Sequence, residues 1–171
     1  LPVVDSLFTA TSAVCVTGLI VVDTGAYFTP FGQVVILVLV QVGGLGIMAF
    51  AVAAVMLFRR RMTGEEQQIL SYMFSQENRR AVKTALVQVF VITLSVEGIG
   101  ALVLTLGFIN SGTSPATGLW LGVFHSVSAF CNAGFSLFSD SMVGYSNNLG
   151  VIVPVMALIT AGGLGFGTLA A

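Results

Sequence analysis

A short, uncharged motif that is rich in small residues occurs twice in this sequence. The first copy occupies residues 11–19, and the second, residues 128–135, lies 116 residues further along the chain. The copies share a serine, an alanine, a cysteine and a glycine at matching positions: Ser12, Ala13, Cys15 and Gly18 in the first, and Ser128, Ala129, Cys131 and Gly134 in the second. A unit that recurs in this way predicts a structure built by repetition.

A glycine-rich motif follows each copy. The sequence Gly-Gly-Leu-Gly occurs at residues 43–46 and again at residues 162–165, a spacing of 119 residues, so the connector in the second unit is three residues longer. Small residues in an apolar segment favour close helix packing, and a hinge is the alternative interpretation. Both interpretations concern the same glycines: Gly43, Gly44, Gly46, Gly162, Gly163 and Gly165.

The distribution of charge predicts a membrane protein. Of 171 residues, 56% are hydrophobic and only 8% are charged, whereas soluble domains carry about 25% charged residues. No charged residue occurs in residues 24–58, 98–139 or 141–171. Apolar stretches of this length are typical of membrane-spanning helices.

Residues 1–58 are predicted to form a first unit. A half-helix is expected over residues 1–11, because a helix of about ten residues is about 15 Å long and reaches only half-way through the hydrocarbon layer. A filter loop of extended backbone is expected over residues 12–19, where small and β-branched residues end on a glycine. A full membrane span is expected over residues 31–58. The unit lacks an opening span, so the chain is expected to be part of a longer protein.

Residues 59–83 are predicted to form a cytoplasmic loop. They contain all six Lys and Arg residues of the chain, and basic loops remain on the cytoplasmic side of a membrane. With this loop inside, both filter loops open toward the outside of the cell.

Residues 84–171 are predicted to form a second unit with the same plan. We expect a membrane span over residues 84–108, a half-helix over 115–130, a filter over 131–135 and a closing span over 149–171. The fold class predicted for the whole chain is therefore an all-α integral membrane protein. It consists of repeated units of span, pore half-helix, filter loop and span, which is a potassium-channel-like pore architecture.

The filter loops are the candidate site. A half-helix directs the negative end of its dipole toward the membrane centre, and backbone carbonyls after it can replace the hydration shell of a monovalent cation. No acidic side chain lies in either loop, so a divalent ion is not expected. A monovalent cation, which is K⁺ in potassium-channel filters, is expected to be bound by the backbone alone, and no cofactor is expected. The predicted filter residues are Cys15, Val16, Thr17, Gly18, Cys131, Asn132, Ala133 and Gly134.

Glu97 lies inside the second predicted span. A carboxylate there costs about 2.5–3.5 kcal/mol on insertion scales, so it is expected to face the bundle interior and to meet a polar or cationic group from a unit absent from this chain. A structural tether and a direct effect on ion passage are both compatible with this position. Cys15 and Cys131 are interpreted as small buried residues, and the lone His125 as a packed helix residue.

The sequence resembles a known family at these motifs. Residues 5–19 resemble the first pore loop of the Trk/Ktr/HKT potassium transporters, in particular the bacterial KtrB type, and residues 124–137 resemble the second. The resemblance implies four such units in one polypeptide around a central pore, with one filter glycine in each unit. Gly18 and Gly134 match the first two filter glycines. The opening span and the last two units are missing here.

The resemblance also implies function and partners. The complete protein would take up potassium across the cell membrane, in some members with sodium dependence, as a homodimer regulated by a cytosolic nucleotide-binding subunit. An enzyme is not expected. One alternative is a short channel-like protein whose copies assemble into a cation-conducting ring, and another is a membrane enzyme or a structural membrane protein.

Overall fold

The computed structural model describes residues 2–58 and 79–164, with side-chain surroundings for residues 2–46 and 87–164. Every regular element within this part of the chain is a helix, which agrees with the predicted all-α class. Most of the expected cytoplasmic loop, residues 59–78, and the last glycine of the second motif, Gly165, lie outside the described residues.

Six α-helices and one 3₁₀ turn make up the described chain. The 3₁₀ turn covers Val143–Tyr145. The α-helices are α1 (Val3–Val14), α2 (Thr24–Tyr27), α3 (Pro30–Phe58), α4 (Arg79–Asn110), α5 (Pro115–Phe130) and α6 (Leu149–Gly163).

The second half-helix has the predicted bounds, and its first turn shows why. The Ser114 hydroxyl oxygen accepts a hydrogen bond from the Thr117 backbone N–H at 3.3 Å, and Pro115 occupies the first helical position. Serine at the cap and proline directly after it are a strong start signal for a helix.

The first half-helix is longer than predicted. Residues 12–14 were assigned to an extended filter, but α1 continues through Val14. Ser12 and Ala13 are buried on the packed side of this helix, so tertiary packing outweighs the weak preference of the segment for extended backbone. The non-helical part of the first filter therefore begins only after Cys15.

The long helices differ from the predicted spans mainly at their ends. Helix α3 begins one residue before the predicted 31–58 span and is helical through Gly43, Gly44 and Gly46, so it has no break there. Helix α4 begins at Arg79, inside the predicted 59–83 loop, and extends past the predicted 84–108 span to Asn110. Helix α6 is described to Gly163, and residues 165–171 of the predicted closing span lie outside the described residues.

The packing forms two apolar cores. One core lies within the second unit, where Leu104 and Phe108 of α4 meet Leu121 of α5 and Leu158 of α6. Gly100 allows this closeness, because a Cβ there would lie 2.6 Å from Ser126 Oγ and 2.7 Å from a methyl carbon of Leu158.

The other core joins the two units. Ala13 of α1 and Val40 of α3 pack with Phe124 of α5 and with two residues that follow it, Ala133 and Phe135. The second predicted filter therefore contributes Ala133 and Phe135 to the core that joins the units.

The length and apolar composition of a helix decide whether it can cross a membrane. Of the residues with described side chains, Val87–Asn110 is the one helical stretch long and apolar enough to cross, while Val3–Val14, Pro30–Gly46 and Leu149–Gly163 are shorter apolar helices. Within the residues whose side chains are described, one helical stretch therefore meets both conditions for a crossing.

Candidate functional site

Helix α1 ends in a compact hydrogen-bonded turn. The Val16 N–H donates to the Ala13 carbonyl at 3.2 Å, and the Thr17 N–H donates to the Ser12 carbonyl at 3.0 Å. This pair of bonds is a Schellman motif, which satisfies carbonyls at a helix end and turns the chain out of the helix.

Helix α5 ends in the same turn. The Asn132 N–H donates to the Ala129 carbonyl at 3.0 Å, and the Ala133 N–H donates to the Ser128 carbonyl at 2.8 Å. The repeated sequence motif thus corresponds to a repeated backbone structure.

The backbone angles after the two turns also match. Val16 and Asn132 have φ of 56° and 57°, and Gly18 and Gly134 have φ of 72° and 73°. Left-handed backbone is disfavoured for residues with a Cβ, so the glycines suit their positions. Val16 has a Cβ and still adopts left-handed backbone, which indicates that the surrounding structure holds it in this conformation.

The two segments are in direct contact. A Cβ added at Gly18 would lie 2.5 Å from the Ala133 carbonyl oxygen and 3.2 Å from the Gly134 Cα. A Cβ added at Gly134 would lie 3.5 Å from the Gly18 Cα, and no other described atom falls within 4 Å of it. The structure therefore brings the predicted filter residues of both units together.

The first glycine of each Gly-Gly-Leu-Gly motif packs on the end of a half-helix. A Cβ at Gly43 would collide with the Val14 carbonyl group at the end of α1. A Cβ at Gly162 would collide with the Phe130 carbonyl group at the end of α5. These two contacts match the packing interpretation of the motif.

The remaining glycines of the motifs differ between the units. Gly44 faces the second filter, because a Cβ there would lie 2.6 Å from Cys131 Sγ. Gly46 and Gly163 have open space around them, with no described atom within 4 Å of an added Cβ.

The two cysteines are both free thiols, and they differ in burial. Cys131 is partly buried, whereas Cys15 is exposed. The interpretation of Cys15 as a buried residue is therefore wrong for the described chain. Helix α3 covers Cys131 through Gly44, and no described helix stands in that position over Cys15.

Glu97 is buried in the interior of the second unit, as predicted, with 5% of its surface exposed. Its Oε2 accepts a hydrogen bond from Gln41 Nε2 at 3.1 Å, and its Oε1 accepts one from Cys131 Sγ at 3.7 Å. The expectation that its partner would come from an absent unit is wrong, because both partners belong to this chain. Gln41 was missed, although amides are rare in the uncharged apolar segment before the glycines.

His125 is a packed helix residue, as interpreted, and it also holds the loop that follows the second filter. The Leu137 N–H donates to His125 Nε2 at 3.3 Å, so Nε2 is the acceptor nitrogen and Nδ1–H donates to the Leu121 carbonyl at 2.8 Å. The ring stacks on Phe138 with a centroid distance of 4.9 Å. Residues 135–138 are thereby fixed to α5.

A second set of contacts joins the units beyond the filters. Trp120 Nε1 donates to Gln33 Oε1 at 2.8 Å, and Gln33 Nε2 donates to the Phe28 carbonyl at 3.1 Å. Asp23 caps α2 by accepting from the Ala26 N–H at 2.9 Å. Hydrogen bonds from the Ser139 side chain and then from Ala26 lower the pKa of Asp23.

A cavity of about 210 Å³ adjoins the second filter. It lies between α5, α6 and the loop after the filter, and its lining includes His125, Ser128, Asn132, Gly134, Val155 and Ile159. The second filter therefore has a closed side toward the first unit and an open side toward this cavity. No group of three or more metal-ligating side chains occurs among the described residues.

Comparison with known proteins identifies the class of this chain. Residues 1–170 match the TrkH family model, described as "Cation transport protein", so the chain belongs to the TrkH family, as the resemblance to the Trk/Ktr transporters predicted. The family consists of membrane transport proteins, and the chain is not an enzyme.

Individual relatives narrow the class to the KtrB type. The chain is 41% identical over 163 residues to Ktr system potassium uptake protein B of Bacillus subtilis, covering 95% of this chain and 36% of that protein. It is 39% identical over 166 residues to the protein of the same name in Vibrio alginolyticus, covering 97% of this chain and 36% of that protein. Potassium/sodium uptake protein NtpJ of Enterococcus hirae is 37% identical over 163 residues, with coverage of 95% and 36%. The chain thus spans about a third of the length of these relatives.

Proposed function

We propose that this chain forms two adjacent units of a potassium uptake pore, in which backbone carbonyls of residues 15–18 and 131–134 bind K⁺. The observation that carries the proposal is the matched pair of filter segments. They share one turn and one pattern of backbone angles, and they touch at Gly18 and Ala133. The printed names of the relatives, potassium uptake proteins, support K⁺ as the ion.

The alternating backbone angles support carbonyl coordination. In an extended strand successive residues face opposite sides. Left-handed residues at positions 16 and 18, and again at 132 and 134, reverse this alternation and allow successive carbonyls to face the same side. Stacked carbonyls on one side are the ligands that a monovalent cation needs when it loses its hydration shell.

The proposed topology places α1 and α5 as half-helices and α3, α4 and α6 as membrane spans. Residues 59–83 then face the cytoplasm of a multi-pass protein in the cell membrane. A cysteine introduced at Gln67 of a variant that has no other cysteine tests this orientation, because a membrane-impermeant thiol reagent should not label it in intact cells. Labelling from outside would contradict the topology.

We further propose that the complete protein is a homodimer that works with a cytosolic nucleotide-binding subunit. The names of the relatives support a system of several components, since two are protein B and another is protein D of a "Ktr system". Sodium dependence is proposed on the same basis, since NtpJ is named a potassium/sodium uptake protein.

Substitution of the filter glycines tests the proposed pore. Gly18→Ser and Gly134→Ser each place a Cβ on left-handed backbone in a filter, so both should lower the preference of the full-length protein for K⁺ over Na⁺. Ion uptake is measured in cells that lack other potassium uptake systems. Gly112→Ser is the matched control, because Gly112 has φ of 93° but lies in a turn with no described atom within 4 Å of an added Cβ.

The control separates ion selection from general strain. Loss of selectivity in both filter variants, with normal selectivity in Gly112→Ser, supports the proposal. Unchanged selectivity in both filter variants would remove these segments from the ion path.

A further inference from the structure

The second filter lacks a bond that the first filter has. In the first unit, Thr17 Oγ1 donates to Ser12 Oγ at 3.0 Å, which ties the filter back to its own half-helix. The matching residue in the second unit is Ala133, which has no hydroxyl, and Ser128 instead donates to the Phe135 carbonyl at 2.6 Å. The second filter therefore has no counterpart of this hydroxyl pair, although the backbone bonds of its turn are the same.

The Glu97 carboxylate of α4 supplies a different contact, to the first residue of the second filter. Its two oxygens are divided between two elements, since Oε1 accepts from Cys131, the first filter residue, and Oε2 accepts from Gln41 of α3. The Ser126 hydroxyl donates to the Glu97 backbone carbonyl at 2.7 Å, which ties α4 to α5 at the same level.

We propose that Glu97 is a positioning residue that sets the geometry of the second filter by holding Cys131 against α3, and that ion selectivity depends on it. The proposal rests on the proposed pore function. Glu97 acts through Cys131 rather than as an ion ligand, because it is buried and both of its oxygens already accept hydrogen bonds. Gly44 belongs to the same arrangement, since any larger residue there would displace the Cys131 thiol.

The carboxylate contacts can be removed in steps. Glu97→Leu removes both hydrogen bonds and keeps a side chain of similar size. Glu97→Gln keeps an acceptor for Gln41 and places an amide beside the Cys131 sulfur. Gln41→Leu and Cys131→Ala each remove one partner. The matched control is Thr93→Val, one helical turn earlier on the same buried side of α4, whose hydroxyl has no hydrogen-bond partner among the described residues.

The measurement is the ratio of the KM for Na⁺ to the KM for K⁺ in the full-length protein, because a change in the amount of folded protein does not alter this ratio. Glu97→Leu should lower it roughly tenfold, the scale of one hydrogen bond to a charged group. Glu97→Gln should lower it no more than about threefold. Thr93→Val should keep the wild-type ratio.

A double variant tests whether Glu97 acts through Cys131. If it does, Glu97→Leu combined with Cys131→Ala should lower the ratio by less than the product of the two single effects. If Glu97→Leu does not reach the membrane, Gln41→Leu and Cys131→Ala test the proposal instead, and each should lower the KM ratio.

Three results would overturn the proposal. A wild-type ratio in Glu97→Leu, or in both partner variants, excludes a positioning role while leaving the pore intact. An equal loss in Thr93→Val assigns the effect to packing of α4 rather than to the carboxylate. If the unmodified protein takes up no K⁺, the proposed pore function is wrong, and the proposal for Glu97 is wrong with it.

Discussion

The two filter segments have nearly the same backbone but different surroundings. The first is held by a hydroxyl pair within its own unit, Thr17 with Ser12, and its Cys15 is exposed. The second has no such pair: Cys131 ties it to Glu97 of α4, and the Ser128 hydroxyl of its own half-helix donates to the Phe135 carbonyl. The repeated motif therefore specifies the turn, while each copy is stabilised by different residues, so equivalent substitutions should have unequal effects.

The largest difference is expected at the filter glycines. An added Cβ is disfavoured by about 1–2 kcal/mol on left-handed backbone at both positions, but only at Gly18 does it also press on a backbone carbonyl, that of Ala133. Overpacking adds about 1–3 kcal/mol, so Gly18→Ala should lower the melting temperature of the purified full-length protein more than Gly134→Ala. The reverse order would contradict the contact between the segments.

The next largest effect concerns the glycines that touch the half-helices. Gly43→Ala and Gly162→Ala place a Cβ against rigid carbonyl groups and should destabilise the protein by about 1–3 kcal/mol each. Gly46→Ala and Gly163→Ala are controls, because an added methyl meets no described atom. Thermal unfolding in detergent compares the four variants. Equal effects in all four variants would contradict a role for the two carbonyl contacts.

A smaller effect is expected one step further from the filters. His125→Phe keeps the ring packing but leaves the Leu137 N–H without its acceptor, at a cost of about 1–2 kcal/mol. The matching residue in the first unit is Thr9, which donates only to the Asp5 carbonyl within its own helix, so Thr9→Val should be close to neutral. Amide hydrogen exchange of residues 135–141 should increase in His125→Phe alone. An unchanged exchange rate would show that His125 does not hold this loop.

The smallest effect depends on pH. The lowered pKa of Asp23 means that its contribution to stability is complete above the pKa of an unfolded aspartate, about 3.9, and is lost as the pH falls through the lower folded value. Asparagine can cap α2 but does not titrate. The difference in melting temperature between wild type and Asp23→Asn should therefore be constant above about pH 5 and shrink in stronger acid. A difference in melting temperature that grows as the pH falls would contradict a lowered pKa of Asp23 in the folded protein.

The repeat itself could be recognised from sequence, because its turn depends on local residues. The start of α5 at Ser114 and Pro115 followed from local signals, and so did the positions of the filter glycines. The end of α1 did not follow from local signals, because the helix continues through Ser12 and Ala13, which are buried against neighbouring elements.

The surroundings of the filters could not be derived from sequence. The bond between Gln41 and Glu97 joins residues 56 positions apart, and the bond between Gln33 and Trp120 joins residues 87 positions apart. No local pattern pairs such residues. The burial of Glu97 could be predicted, since a carboxylate in an apolar span needs a partner, but the identity of that partner depends on how the units pack.

The glycine contacts with the half-helices have a consequence for how such units diverge. Gly43 meets Val14 and Gly162 meets Phe130 in the same way, although the second connector is three residues longer. Register between half-helix and following helix is therefore set by the contact and not by the length of chain between them. A connector can therefore gain or lose residues without moving the following helix away from the end of its half-helix.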